Sequence, residues 1–146
     1  MNAIASELRA VIDDAAGLLN AIDDETARLR PAPGKWSRKE IIGHLIDSAA
    51  NNHQRFVRAQ EGGELVFPKY EQDHWVGVQR YNEASWPDLI ALWRLYNHHL
   101  ARVIEAIPDE KLTVRCTIVP NEPVTLGFLV EDYLAHLKHH LRQAGI

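Results

Sequence analysis

The stretch from Asp132 to Gln143, which reads Asp-Tyr-Leu-Ala-His-Leu-Lys-His-His-Leu-Arg-Gln, decides how the rest of the chain is interpreted. Its apolar residues recur at three- and four-residue spacings, which is typical of an amphipathic helix. His136 and His140 are four residues apart, so they lie on one face of that helix, ~6 Å from each other along its axis. Two imidazoles placed in this way can share one metal ion if further ligands come from another helix.

A helical wheel separates the histidines of this stretch. His140 falls inside the apolar arc, and His136 falls on its rim next to Asp132. His139 falls outside the arc among charged side chains, so we expect it to be solvated. Two interpretations of the inward pair remain open at this point: a metal site, or two core histidines that each have a hydrogen-bond partner, since a bare pair at this spacing is common.

The composition is that of an ordinary globular protein. The chain has 146 residues, of which 25% are charged, and a formal net charge of -4. This length predicts one domain spanning residues 1–146. The mild charge and the absence of any block of like charges argue against a nucleic-acid partner. Because there is neither a long apolar run nor a signal-peptide pattern, we expect a cytoplasmic protein without a membrane segment.

Cys116 is the only cysteine, so the chain can form no intramolecular disulfide, which suits a reducing compartment. Its neighbours favour a short extended segment over the basic, open environment that a nucleophilic thiol requires. We therefore expect Cys116 to be structural.

Four helical segments can be placed along the chain from apolar periodicity and from capping residues. The first is ended by prolines. The second begins at Ser37, because Ser37 and Glu40 form the Ser-x-x-Glu pattern of a capping box. Ser85 and Thr125 are the predicted N-caps of the third and fourth. The expected helices cover residues 3–29, 38–60, 86–107 and 126–143.

The segments between the helices differ in length and character. Residues 62–83 form a long, aromatic-rich connection between the second and third helices, of a length typical of functional lids or core covers. Residues 112–124 are predicted to form a short extended excursion with a turn before the last helix. The expected fold class is all-α, a four-helix bundle with these two connections.

The second helix offers two candidates for a third metal ligand. His44 lies at one edge of its apolar arc and His53 at the opposite edge. Helix geometry does not choose between them, and either can be a structural histidine. His74, in the long connection, could approach a site, although a hydrogen-bonded loop position is the simpler expectation. Of the adjacent His98 and His99, at least one must be exposed.

Three sequence features together resemble the DinB/YfiT-like superfamily. They are Lys35-Trp-Ser37 leading into Ile41-Ile-Gly-His-Leu-Ile-Asp47, the middle segment from Pro68 to Trp93 with Asp73-His-Trp75 and Gln79-Arg-Tyr-Asn82, and the stretch from Asp132 to Gln143. The resemblance implies a four-helix bundle in which one histidine of the second helix and two of the last bind a divalent metal. Carried over by position, these are His44, His136 and His140.

The resemblance also implies an activity and partners. Family members with known reactions resemble thiol-dependent transferases and isomerases that use low-molecular-weight thiols, and others were named as hydrolases by analogy. The metal expected first is nickel or zinc, with iron or manganese next. A small-molecule substrate, a low-molecular-weight thiol and a homodimer are implied in the same way.

Three neutral imidazoles leave an open position on an ion, as in catalytic metal sites, where the ion lowers the pKa of a bound water or stabilises a thiolate. Asp132 and Asp47 are candidates for orienting the histidines. Asp132 and Tyr133 are also the candidate catalytic residues, Tyr133 by donating to a substrate oxygen unless it is a plain core tyrosine. Asn52 and Asn97 are candidate polar groups of the pocket. No carboxylate is an obvious general base, which favours transferase chemistry.

Two functions of different kinds are therefore predicted as alternatives. The first is a divalent-metal-dependent enzyme, a thiol-dependent S-transferase or a hydrolase. The second is a non-catalytic, stress-related helical bundle that binds a metal or another ligand, or serves as a dimerisation module. The metal content of the purified protein distinguishes the two.

Overall fold

The computed structural model describes residues 1–146 and is mostly helical, with a small sheet. No helix combines the length and the apolar composition that crossing a membrane requires. Single turns of 3-10 helix lie at residues 81–83 and 109–111. In chain order the helices and strands are α1 (Asn2–Asn20), α2 (Asp24–Arg28), α3 (Arg38–Arg58), β1 (Leu65–Pro68), α4 (Gln72–Gln79), α5 (Trp86–Glu105), β2 (Arg115–Val119), β3 (Val124–Thr125) and α6 (Leu126–Gln143).

The four long helices, α1, α3, α5 and α6, pack around one apolar core. α1 lies against α5 and α6, and α3 lies against the same two helices. Trp93 of α5 and Phe56 of α3 are among the largest fully buried side chains of this core. α1, α5 and α6 each bury one apolar stripe, which is the packing expected of a four-helix bundle, whereas residues 39–49 of α3 are buried on every face of the helix.

The predicted starts of α3, α5 and α6 are confirmed by their caps. The Ser37 hydroxyl accepts the Glu40 N–H at 3.2 Å, and the Glu40 carboxylate accepts the Ser37 N–H at 2.8 Å, which is the reciprocal pattern of a capping box. Ser85 and Thr125 each accept a backbone N–H from the first turn of α5 and α6. These caps fix where the helices begin, and hence which face each histidine takes.

The first predicted helix, residues 3–29, is wrong in one respect, because the structure contains two helices there. α1 ends at Asn20, and α2 begins after Asp23. The Asp23 carboxylate accepts the Thr26 N–H at 2.7 Å and the Thr26 hydroxyl at 2.9 Å, so it caps a new helix. Apolar residues continue at helical spacing across the break, and this periodicity concealed it.

A three-stranded sheet departs from the all-α prediction. β1 pairs in parallel with β2, and β2 pairs antiparallel with β3. The excursion predicted before the last helix forms β2 and β3, and the long connection supplies β1 and α4. Cys116 of β2 is fully buried, and burial raises the pKa of its thiol, in keeping with the structural role expected for it.

Gly43 lies on α3 directly before His44, where the ring of Tyr81 packs against the helix. A Cβ atom at residue 43 would lie 2.1 Å from the Tyr81 ring, so this approach requires glycine. The Tyr81 hydroxyl donates to the Asp47 carboxylate at 2.6 Å. The 3-10 turn that follows α4 is thereby attached to the helix that carries His44.

Candidate metal centre

His44 of α3 and the His136–His140 pair of α6 converge between the two helices. One ring nitrogen of each lies within 4.8 Å of the other two. His44 Nε2 faces His136 Nε2 at 3.2 Å, and the three ring centroids are 4.4 to 5.1 Å apart. A tetrahedral ion with nitrogen ligands at ~2.05 Å separates those nitrogens by ~3.3 Å. His44 and His136 already have this spacing, and the His140 nitrogen lies within 4.8 Å of both, so the three side chains could hold one metal ion.

The helices and their caps place each ring. His136 and His140 lie one turn apart on α6, as the sequence predicted, and the packing of α3 on α6 brings His44 to them. Trp36, the residue before the cap of α3, lies with its ring centroid 4.9 Å from that of His44 and 6.3 Å from that of His140. Trp36 thus covers part of the cluster.

Burial keeps the three imidazoles neutral. His44 is fully buried, and desolvation lowers its pKa to about 3, with a further contribution from the charges of His140 and His136. Desolvation also lowers the pKa of His136 to about 4 and lowers that of His140. At neutral pH each ring therefore keeps an unprotonated nitrogen, which is the form that binds a metal ion.

The nitrogens that face away from the centre of the cluster have different partners. His140 Nδ1 lies 2.8 Å from Gln143 Oε1, so it carries the proton and leaves Nε2 with its lone pair. His136 Nδ1 lies 3.5 Å from Ser48 Oγ. His44 Nδ1 is buried without any hydrogen-bond partner. The His44 ring is therefore oriented by packing, and the other two have polar neighbours as well.

The two aspartates predicted to orient the histidines do not do so. Asp47 accepts hydrogen bonds from the Tyr81 hydroxyl at 2.6 Å and the Gln79 amide at 2.8 Å. Asp132 is exposed, and neither aspartate is hydrogen-bonded to a histidine of the cluster. Gln143 takes that role for His140, and its position three residues further on the same helix could have revealed it.

The predicted catalytic residues Asp132 and Tyr133 line a cavity of about 470 Å³ that also borders His136. Asp132 is exposed at this cavity. Tyr133 is buried, which raises the pKa of its hydroxyl, and that hydroxyl donates to Asn97 Oδ1. The Asn97 amide is fixed in turn by donating to the Trp93 carbonyl at 2.8 Å. The Tyr133 oxygen can therefore accept a hydrogen bond, while its proton is already engaged.

A second cavity, of about 620 Å³, borders the opposite member of the α6 pair. Trp36, His140 and Gln143 are among its lining residues. Asp73, at the start of α4, lines both cavities. The long connection between α3 and α5 therefore contributes a residue to both cavities that border the histidine cluster.

The remaining histidines do not join the cluster. His53 of α3 lies 3.1 Å from the Tyr96 hydroxyl and stacks edge-on against His99. The structure therefore brings His44, not His53, to the α6 pair, a choice that helix geometry had left open. His139 is exposed, as predicted. Of the two remaining histidines, His98 pairs with Asp13 and His74 is exposed on α4.

Comparison with known proteins finds relatives that are similar in sequence and in fold. A protein of Oceanobacillus iheyensis named "Putative metal-dependent hydrolase" is 21% identical over 128 residues, which are 88% of this chain and 73% of that protein. YfiT from Bacillus subtilis, described as a probable metal-dependent hydrolase with an unusual four-helix bundle topology, superposes with a TM-score of 0.81 and 18% identity. That superposition covers 96% of this chain and 79% of YfiT.

The crystal structure of the mycothiol-dependent maleylpyruvate isomerase is also similar, with a TM-score of 0.78 and 12% identity. It is matched over 97% of this chain and 59% of that one. These two structures show a shared fold. The sequence model described as the DinB superfamily matches residues 7–144, nearly the whole chain. The chain therefore belongs to the DinB superfamily.

Proposed function

We propose that the chain is a divalent-metal-dependent enzyme in which His44, His136 and His140 hold the ion. The observation that carries this proposal is the convergence of three imidazoles from two helices within 4.8 Å, kept neutral by burial and bordered by a cavity. The names of the relatives, which refer to metal-dependent hydrolases and a thiol-dependent isomerase, support it.

The ligand set bears on the choice of metal. The cluster contains three imidazoles and neither a carboxylate nor a thiolate. Imidazole ligands suit nickel and zinc, which we propose first, and iron, while manganese prefers oxygen ligands and ranks last. A divalent ion held there would act as a Lewis acid and lower the pKa of a thiol or water that binds to it.

For the reaction we propose thiol transfer, with a low-molecular-weight thiol as co-substrate. No carboxylate is hydrogen-bonded to the cluster, and Asp73 and Asp132, which line the cavities beside it, are exposed, so no carboxylate is held against the cluster as a base for activating water. A thiol, with an ordinary pKa of ~8.5, needs less help to ionise than water does. Hydrolysis is the second candidate, because two of the relatives are named as hydrolases.

The residues around the cluster are proposed to divide the remaining work. Gln143 and Ser48 orient His140 and His136 through their second ring nitrogens. Asp132 and Tyr133, which line the cavity, are proposed to contact the substrate. Because its proton is donated to Asn97, we propose Tyr133 as a hydrogen-bond acceptor toward the substrate, rather than the donor that the sequence suggested.

Metal analysis of protein purified without a histidine tag tests the metal site. One ion per chain is expected, with loss of that ion in His44→Ala and in His140→Ala. His139→Ala is the matched control and should retain the ion, because His139 is exposed and lies outside the cluster. A protein that stays metal-free after incubation with nickel and zinc salts would refute the proposal and leave the non-catalytic alternative.

A screen of the metal-loaded protein tests the reaction. Low-molecular-weight thiols are offered together with electrophilic substrates, and ester and amide substrates are offered without a thiol. Thiol-dependent product formation that disappears in His44→Ala would support transfer. Turnover that needs no thiol would instead support the hydrolase, and stoichiometric metal with no turnover in either arm would support a metal-binding bundle without catalysis.

A further inference from the structure

We propose that Arg55 binds a carboxylate group of the small molecule that reacts at the histidine cluster. That this molecule is the substrate or thiol of the reaction rests on the function proposed above. That Arg55 binds a carboxylate does not depend on the metal ligands, so it can be tested separately.

Arg55 of α3 is a half-buried arginine without an acidic partner. Its only side-chain hydrogen bond runs from Nη1 to Asn52 Oδ1 at 3.3 Å, and no carboxylate oxygen lies within 4.0 Å of it. The Arg55 Nε–H is covered and has no acceptor. The arginines that do pair with carboxylates are Arg9, Arg28, Arg30, Arg80, Arg94 and Arg115.

A cation that is partly removed from water without an ion-pair partner is unfavourable, and burial lowers the pKa of Arg55 accordingly. The charge of Asp132, which is exposed and makes no ion pair with Arg55, offsets this lowering only in part. The free energy lost in this way is recovered when an anion binds. Arginine suits a carboxylate in particular, because its planar fork of N–H groups matches the two carboxylate oxygens. An unpaired guanidinium on a cavity wall is thus the arrangement expected of an anion-binding residue.

The Arg55 side chain is held in position from two sides. Its guanidinium carbon lies 5.4 Å from the centroid of the Phe67 ring of β1, within the range of a cation–π contact. Its other neighbour, Asn52, is fixed by donating to the Ser48 carbonyl at 3.0 Å. A guanidinium fixed before the ligand arrives loses little conformational freedom on binding, which favours affinity.

Arg55 lines the same cavity as His136, the cavity of about 470 Å³. His44, Ser48, Asn52 and Arg55 follow one another at spacings of four, four and three residues, so they share one face of α3. Eleven residues of helix separate the two ends by ~16 Å along the axis. The ligand we infer is therefore an elongated small molecule with its carboxylate remote from the reacting atom.

The other charged groups of the cavity are more exposed than Arg55. Lys69 is exposed and lies 3.5 Å from Glu71, which is also exposed. Asp73 and Asp132 are exposed carboxylates at the same cavity. Water screens charges of this kind, so they contribute little to holding an anion. Arg55 is the cation of this cavity that is both partly desolvated and free of an acidic partner.

Calorimetric titration of the purified full chain with succinate tests the inference, before and after metal removal with a chelator and dialysis. Metal removal matters because a carboxylate could also bind to the ion. We expect saturable binding in both states, weakened by about tenfold or more in Arg55→Gln and less in Arg55→Lys. Arg58→Gln is the matched control, because Arg58 is exposed on α3 and outside the cavity, and its affinity should be unchanged.

Three outcomes would overturn the inference. The first is no saturable binding of succinate to the wild-type chain, and the second is equal loss of affinity in Arg55→Gln and Arg58→Gln. The third is tighter binding of inorganic phosphate than of succinate, which would mark a phosphate site. Neutral dimethyl succinate should not bind. Metal content measured on the same variants separates the two proposals, since Arg55→Gln should keep its ion even where anion binding is lost.

Discussion

Replacing Gly43 with alanine should destabilise the protein, although alanine is the better helix former by about 1 kcal/mol. The new Cβ atom would lie 2.1 Å from the ring of Tyr81, at ring atoms near the backbone end of the side chain. The ring, which is buried, must therefore move. Forcing extra volume into a packed site costs about 1–3 kcal/mol. Displacing the Tyr81 hydroxyl from the Asp47 carboxylate, 2.6 Å away, costs a further ~1.5–3 kcal/mol.

After subtraction of the gain in helix propensity, the expected net loss is about 1.5–5 kcal/mol in the free energy of unfolding. Gly17→Ala is the matched control, because Gly17 lies inside α1 and a Cβ there would have no atom within 4 Å. That substitution should stabilise the protein by about 0.5–1 kcal/mol. The two glycine replacements thus have opposite predicted signs.

Urea denaturation of metal-free protein, followed by circular dichroism, measures both variants on the same scale. Removing metal first prevents an altered ion affinity from contributing to the result. A Gly43→Ala protein as stable as the wild type would refute the reasoning, because it would mean that Tyr81 does not pack against α3 as described. A Gly17→Ala protein that loses stability would show that a Cβ atom at residue 17 does meet neighbouring atoms.

Three further results are expected. Loading nickel or zinc to about a hundredfold excess over its dissociation constant should stabilise the chain by about 2.7 kcal/mol, a rise in melting temperature of roughly 5–10 °C that is absent in His44→Ala. Metal-free protein should lose about 1.4 kcal/mol of stability through His44 when the pH falls from 7.5 to 5.5. In the unfolded chain the His44 pKa is near 6.5, so the ring gains a proton over this range. In the folded chain the pKa is about 3, so the ring stays neutral. His136 and His140 should add losses of the same sign, and urea titrations at both pH values, with His44→Ala for comparison, measure the sum. Tyr133→Phe should cost about 1–3 kcal/mol, because Asn97 Oδ1 is fully buried and would lose its donor, and a stability equal to the wild type would contradict that hydrogen bond.

Residue spacing in the sequence predicts some of the side chains around the histidine cluster and misses others. Gln143 stands three residues after His140 on the same helix, so its hydrogen bond follows from helical geometry. Ser48 belongs to α3, and its neighbour His136 belongs to α6, so nothing in the local sequence connects them. Asp47 has the spacing of an orienting carboxylate and yet bonds to Tyr81, because the long connection folds back onto α3.

The sequence by itself determined the four long helices of the bundle, the capped starts of three of them, and the placement of His136 and His140 on one face of the last helix. Those features depend on contacts between residues at most four positions apart, which periodicity and capping patterns record. Only the tertiary structure decided the break after α1, the pairing of β1 with β2, and the environment of Arg55. The family resemblance implied His44 rather than His53 as the partner of the α6 pair, but helix geometry left both open, because the choice depends on how α3 packs against α6. Helix packing joins residues some ninety positions apart, and no local pattern of residues encodes such a contact.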